Sequence, residues 1–391
     1  MTRIVASLLG LALPLALALA APGGAIPELE DDAVRASKPS PYGVEIVEPA
    51  APAQKAARSG SGEAARLRGA KWLTGAQHDD GGWGAGDWSN TDNAPSDVAT
   101  TAVAVLALMR DGGGVGKHRD AITGGVRFVV KAVETAPKDS PRLNTPMSTQ
   151  PQSKLGQLVD THLAALLLGE VSGKLDGETN RRVTAAMDTV VGKVQKAQQG
   201  NGAFASDGWA PSLSSSVATM GLMRAREAGA DVDDEVLEKA NRYQAAKAAP
   251  SGSFDASDGA GVELYAVAGA LATSAGATRA GTGGRAAQDT KAAATRRLDT
   301  NTDALVAGFG SLGGEELLSY MMISDSLAAE GGKSWQEWDG RMASSLSATQ
   351  NADGSWSGHH CITSRTFTTA VAVMTLGAGD PTGRSDNWRS W

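Results

Sequence analysis

Cys361 is the only cysteine in the sequence, and His359 and His360 stand directly before it. Thiolate, imidazole and carboxylate are the donors that zinc prefers. Glu315 and Glu316 open an otherwise apolar stretch, so His360, Cys361 and Glu315 make a candidate zinc set. Neighbouring histidines point in different directions, which makes joint ligation by His359 and His360 awkward. Asp160 and His162 head a second apolar stretch, and Arg365 heads a third. An unpaired carboxylate on an apolar helix costs several kcal/mol. Glu263, Glu315 and Glu316 must therefore face a polar cavity or a cation, and an Arg365–Glu315 contact is the expected pairing. Further acids, Asp79, Asp80, Asp87, Asp92 and Asp97, surround Trp83 and Trp88. Carboxylates beside exposed tryptophan suit chemistry on a polysaccharide. Each group also has a plainer reading, because Asp caps helices and turns and a loop histidine caps the helix after it. One cysteine excludes an internal disulfide framework and a multi-thiolate zinc site. No nucleophile elbow, phosphate loop or His-Glu zinc helix is present.

These residues need elements to hold them. The chain has 391 residues, with 36 basic against 43 acidic side chains and a formal charge of −7. That balance, without a basic block, argues against a nucleic-acid partner. Arg3, the apolar residues 4–19 and the small-x-small triplet Ala18-Leu19-Ala20 read as a signal peptide over 1–20. Residues 21–62 are rich in Ala, Pro, Gly and Ser and read as a disordered leader. The expectation is a secreted or periplasmic protein with no transmembrane segment after the signal, a domain over 63–380 and a tail over 381–391.

A short turn recurs through the domain, with Gly followed within two positions by an aromatic residue. It stands at Gly82-Trp83, Gly202-Ala203-Phe204, Gly252-Ser253-Phe254, Gly308-Phe309 and Gly354-Ser355-Trp356. Gln77, Gln199 and Gln350 precede three of the copies. Charged amphipathic helices are predicted before the turns, over 66–76, 180–198, 234–248 and 335–350. Helices apolar nearly all round are predicted after them, over 97–109 and 366–376. Four more such helices begin near Asp160, Ser214, Val262 and Glu315. The second repeat lacks the aromatic and has a Pro- and Ser-rich loop over 137–153. Six wet helices alternating with six dry ones predict an all-α (α/α)6 toroid, dry helices inside, closed so that no capping repeat is needed.

The segments QHDDGGW (77–83) and QNADGSW (350–356) resemble the Gln-Trp repeats of squalene–hopene cyclases and related triterpene cyclases. CITSRTFTTAVAVMTL (361–376) is similar to the helix after the last such repeat. The same toroid occurs in prenyltransferase β-subunits and in complement-type thioester domains. The resemblance covers about residues 62–380 and implies the fold more strongly than any activity.

For a cyclase the resemblance implies an Asp-x-Asp-Asp acid, and Asp231-Val232-Asp233-Asp234 matches it literally. It opens a charged outer helix, however, where capping explains it. Cyclases also line their cavity with aromatics to stabilise cations, whereas the inner helices here offer only Tyr265, Tyr320 and Phe367. Such cyclases are two-domain proteins, and a single toroid fills this chain. For a prenyltransferase the resemblance implies an Asp, Cys and His zinc site, but Cys361 falls before the sixth inner helix, so the ligands do not transfer position by position. A thioester needs a Gln three residues after its Cys, and Ser364 stands there. The expected function is an exported scaffold binding a protein, glycan or lipid at the toroid mouth. The alternatives are an isoprenoid transferase or cyclase, zinc-dependent or not, and a polysaccharide lyase or hydrolase.

Overall fold

The structure, a computed structural model, describes residues 60–86, 94–143, 148–204, 207–249, 251–279, 284–307 and 312–379. The expected signal peptide, most of the leader, the tail, the Gly308-Phe309 turn and Asp87, Trp88 and Asp92 lie outside the described residues.

Two sets of helices alternate along the chain. The outer set is α1 (Gly60–Gly75), α3 (Arg119–Thr135), α6 (Gly177–Ala197), α8 (Asp234–Ala245), α10 (Gly284–Ala307) and α12 (Gly332–Thr349). The inner set is α2 (Val98–Gly112), α5 (Val159–Val171), α7 (Pro211–Glu227), α9 (Glu263–Arg279), α11 (Gly314–Glu330) and α13 (Arg365–Gly377). A thirteenth helix, α4 (Gln150–Leu155), stands apart from both sets. No strand occurs among the described residues, and no helix among them is long and apolar enough to cross a membrane.

Local chemistry sets the boundaries. Asp97, Asp176, Asp233 and Ser364 each cap a helix by accepting a backbone N–H of its first turn. Pro211 begins α7 where its missing N–H costs nothing. α3 buries one stripe, Ile122, Val126, Val129, Val130 and Val133, and leaves its other face wet. α2, α5 and α11 are buried on every face along nearly their whole length.

Each inner helix packs on the next in the order α2, α5, α7, α9, α11, α13, and α13 packs back on α2. Outer helix α12 likewise reaches α1. The ring is therefore closed, as the repeat pattern predicts. Small residues let its members approach closely: a Cβ on Gly169 of α5 would meet the backbone of Ala225 in α7 at 2.7 Å. The inner helices run parallel. Their first turns contact one another at one end, the mouth, and their last turns meet at the other. There Arg110 of α2 holds Asp325 of α11 through two bonds of 2.7 and 2.9 Å and donates to the Met374 carbonyl of α13 at 2.7 Å.

The turns that join outer to inner helices share one hydrogen-bond plan. Gln77, Gln198 and Gln350 each donate to the carbonyl four residues on, and also to the next outer helix: Ala121, Val236 and Ala65. Asp80, Asn201 and Asp353 accept the N–H two residues ahead. Gly81, Gly202 and Gly354 occupy φ of +86°, +93° and +95°, a region glycine enters without strain. The aromatic follows two positions later. The indoles of Trp83 and Trp356 donate back to Leu73 and Leu346 at 2.9 and 2.8 Å. The register differs from the sequence reading in two copies: Gln198, not Gln199, makes the link, and Gly81, not Gly82, turns the chain.

Candidate mouth site

Six of the eight expected site residues, Glu315, Glu316, His360, Cys361, Asp160 and His162, bring their side chains into two groups at the mouth, on or just before the first turns of the inner helices. In the first group, Glu315 and Glu316 are fully buried at the start of α11. Glu315 accepts the Ile362 N–H at 3.2 Å and a hydrogen bond from the Cys361 thiol. Glu316 accepts the Tyr265 hydroxyl at 2.7 Å and the Gly313 N–H at 3.1 Å, with His360 Nε2 at 3.7 Å. Burial, and then each other's charge in the case of Glu315, raise these carboxyls well above the usual carboxylate range. The segment before α13 lies along the one before α11: His359 N–H donates to the Leu312 carbonyl at 2.7 Å, and His360 pairs with Gly313. Cys361 is half-buried with φ of +54°, and burial, followed by the Glu315 charge, pushes its thiol up to about 12. Such a thiol is neutral and unreactive.

The second group joins α2, α5 and α4. Asp97 accepts from Thr100 N–H at 2.7 Å, the Thr100 hydroxyl and Ala85 N–H at 2.9 Å. Asp160 accepts from Ala99 N–H at 3.2 Å and from the Gln152 amide. Burial and the facing Asp160 push Asp97 up to about 7. His162 is also buried; its Nδ1 lies 3.0 Å from the Ser214 hydroxyl and its ring meets Phe204 edge-on. Desolvation lowers its pKa to about 3, so the ring is neutral, and its Nε2 has no hydrogen-bond partner.

Over this group lies α4, the structured part of the loop that replaces the second turn aromatic. Thr149 and Gln152 form a capping box at its start. Gln150 donates its N–H to Gly86 at 2.8 Å, and its side-chain oxygen accepts from Thr363 and Ser364 N–H at 2.7 and 3.1 Å. The Lys154 carbonyl accepts from Trp209 and Ala210 N–H. These glutamines were missed in the sequence, although the Thr-x-x-Gln spacing of a capping box was there to read.

Three expectations need correction. Arg365 does not meet Glu315. It turns outward to Asp353 and Ser355, with its guanidinium 5.2 Å from the centre of the Trp72 ring. Asp353 in the turn supplies an ionised partner, held down to about 2 when the Ser355 and Arg365 hydrogen bonds outweigh burial. Glu315 meanwhile is satisfied by an N–H and a thiol. Second, the zinc set of His360, Cys361 and Glu315 does not assemble: no group of three His, Cys, Asp or Glu among the described residues is arranged to hold a metal ion. His360 faces Glu316, whereas Cys361 faces Glu315, so the donors diverge into two pairs. Third, Trp83 is fully buried rather than an exposed sugar platform. Asp80 and Asp97 beside it serve the turn and the α2 cap.

Other carboxylates are accounted for locally. Glu263 receives Arg297 through bonds of 2.9 and 2.7 Å and the Phe254 N–H at 2.7 Å. In the Asp-x-Asp-Asp stretch, Asp233 caps α8 by accepting Glu235 N–H at 2.8 Å, and Asp234 pairs with Arg226 at 2.6 Å. Both are exposed on the outer shell, as the capping reading requires.

A closed ring of parallel inner helices inside an outer shell, joined by Gln-to-aromatic turns, is the fold of terpene cyclases. Structures of the type II terpene cyclase MstE from Scytonema share it. The complex with the product merosterolic acid A, the complex with the substrate geranylgeranyl dihydroxybenzoate and the apo form each match at 14% identity and TM-score 0.52. Each match covers 83% of this chain and 99 to 100% of that one. No protein-family model matches the sequence, and no curated protein matches it. The likeness removes one argument from the sequence reading. The match to this terpene cyclase runs over nearly its whole chain, so the presence of a single toroid does not count against cyclisation.

Proposed function

We propose that this protein is an exported toroid of terpene-cyclase-like fold that serves as a binding scaffold, taking a protein, glycan or lipid ligand at its mouth. The observation that carries the reading is the filling of the ring. α2, α5 and α11 are buried on all faces, so along them no wall opens onto a space that water, let alone a polyprene, could occupy. A cyclase must enclose its substrate in a cavity of several hundred Å³. Two further facts support the same conclusion: the Asp-x-Asp-Asp stretch faces solvent on the outer shell, and α4 lies across the first turns of α2, α5 and α13.

Incubation of the purified protein with squalene and with geranylgeranyl compounds, followed by mass spectrometry of the extract, tests the reading. Recovery of unchanged substrate is expected. A cyclic product that disappears in Asp97→Asn or Glu315→Gln would overturn it.

A second reading, an isoprenoid cyclase, is favoured by one observation. Asp97, Glu315 and Glu316 are carboxyls raised by burial, and a carboxyl held protonated near neutral pH can act as a general acid. The same extract analysis decides between the two.

A further inference from the structure

The exposed tryptophan that Trp83 does not supply stands elsewhere on the mouth, at Trp209, just before α7. Half of Trp209 is exposed, and Leu67 on outer helix α1 is the other large apolar side chain exposed among the described residues. Burial is the ordinary fate of such a ring. Here the backbone fixes it outward. Trp209 and Ala210 donate their N–H groups to the Lys154 carbonyl at 2.8 and 2.9 Å, and Asp207 accepts the Gln157 N–H at 2.9 Å. Gly156 and Gly208 permit this close approach. Both take left-handed φ, at +97° and +85°, and a Cβ on Gly208 would lie 2.6 Å from the Gly156 nitrogen. The Lys154 ammonium lies 4.2 Å from the centre of the ring. The indole is thus held against the end of α4 before any ligand arrives, which lowers the ordering cost of binding.

We infer that this corner of the mouth is a carbohydrate subsite: Trp209 stacks on the C–H face of a neutral sugar ring, and Asp207 and Gln157 meet its hydroxyls. The inference rests on the scaffold reading above and selects the glycan among its ligands. The face of an indole is negative, which suits the weakly positive C–H bonds on one side of a pyranose. Asp207 is exposed and Gln157 half-buried, so a carboxylate and an amide stand beside the ring, able to accept from and donate to hydroxyls.

Other ligands fit less well. A protein partner needs an apolar centre to its interface, and a lipid surface needs a continuous apolar face. Leu67 belongs to a different helix, so Trp209 has no second exposed apolar anchor among the described residues. A cationic ligand would meet the Lys154 charge already at the ring. Lys154 and Asp207 bring opposite charges to the same rim, which favours a neutral sugar over an acidic one.

An array of neutral and acidic glycans probed with the full chain, with calorimetry on the glycans it retains, tests the subsite. Neutral glycans should bind. Trp209→Ala should weaken them by about tenfold or more, the loss expected when an anchoring tryptophan is removed. Trp209→Phe keeps a flat ring and should retain most of the affinity. Hydroxyl-radical footprinting of the native chain reads the same contact without a substitution: the Trp209 peptide should oxidise more slowly with the glycan bound. Binding unchanged in Trp209→Ala, an unprotected Trp209, or binding confined to acidic glycans or to phospholipid vesicles would each overturn the inference. An array with no bound glycan, together with extracts free of cyclic product, would remove the glycan and leave the scaffold reading standing. A cyclic product would remove the scaffold reading and the subsite with it.

Discussion

Arg365 shows how a side chain's nearest unsatisfied partner decides its role. The spacing of charges along the sequence favours Glu315, but the turn Asp353 is ionised and within reach, whereas Glu315 is raised by burial and already bonded. A double-mutant cycle in urea unfolding should find coupling of about 0.2 to 1 kcal/mol between Arg365 and Asp353, the range for a part-exposed pair, and none between Arg365 and Glu315. Tyr265→Phe tests the other side of the mouth. It removes the hydroxyl from Glu316 in a dry site and should cost about 1 to 3 kcal/mol in the same assay. The buried acids also set a pH dependence. Asp97 binds its proton more tightly folded than unfolded, so its stabilising contribution is complete below about pH 4 and is lost as pH rises to about 7. The unfolding free energy should therefore decline between pH 5 and 8. Asp97→Asn should make that decline shallower, with Glu315 and Glu316 retaining the remainder.

At the scale of elements, the Gln-to-aromatic turns do the joining. Each Gln bonds its own turn and the next outer helix, and Gln350 does so to Ala65, which closes the outer shell between α12 and α1. Gln198→Ala should lower stability by about 1 to 2 kcal/mol, measured by chemical unfolding, whereas Gln199→Ala should change it by less than about 0.5 kcal/mol. Trp356→Ala should cost about 3 to 5 kcal/mol, because the indole is fully buried. Much of this architecture was legible in the sequence. The inner-helix starts expected near Asp160, Ser214, Val262 and Glu315 fall within three residues of α5, α7, α9 and α11, because apolar runs and capping residues are local signals. The turn register was misread by one residue at Gln198 and Gly81, since an aromatic can follow the left-handed glycine after one intervening residue or appear to follow another glycine directly. The position of α4 was illegible for a different reason. Its partners Gly86, Asp160 and Thr363 are spread over more than two hundred residues, and only closure of the ring brings them together.

At the scale of the whole molecule, parallel packing of six helices gathers their positive ends at the mouth and their negative ends opposite. The buried acids at the mouth follow this polarity. Asp97, Asp160, Glu315 and Glu316 occupy the first turns. At the far end Arg110 and Arg66 donate to the carbonyls of Met374 and Asp111. Asp325 completes that end by pairing with Arg110 across α13. Asp325→Ala would take the carboxylate from the buried Arg110 guanidinium, which keeps the Met374 carbonyl, and should cost about 3 to 5 kcal/mol, read as a loss of unfolding free energy. The fold is that of a terpene cyclase, yet its inner helices α2, α5 and α11 are buried on every face. Crystals pressurised with xenon probe the filling of the ring most directly, because xenon enters apolar cavities that water leaves empty. The expected result is no xenon among α2, α5, α7, α9, α11 and α13. A row of xenon atoms along the ring axis would contradict it, and would reveal a chamber of the kind that isoprenoid chemistry requires.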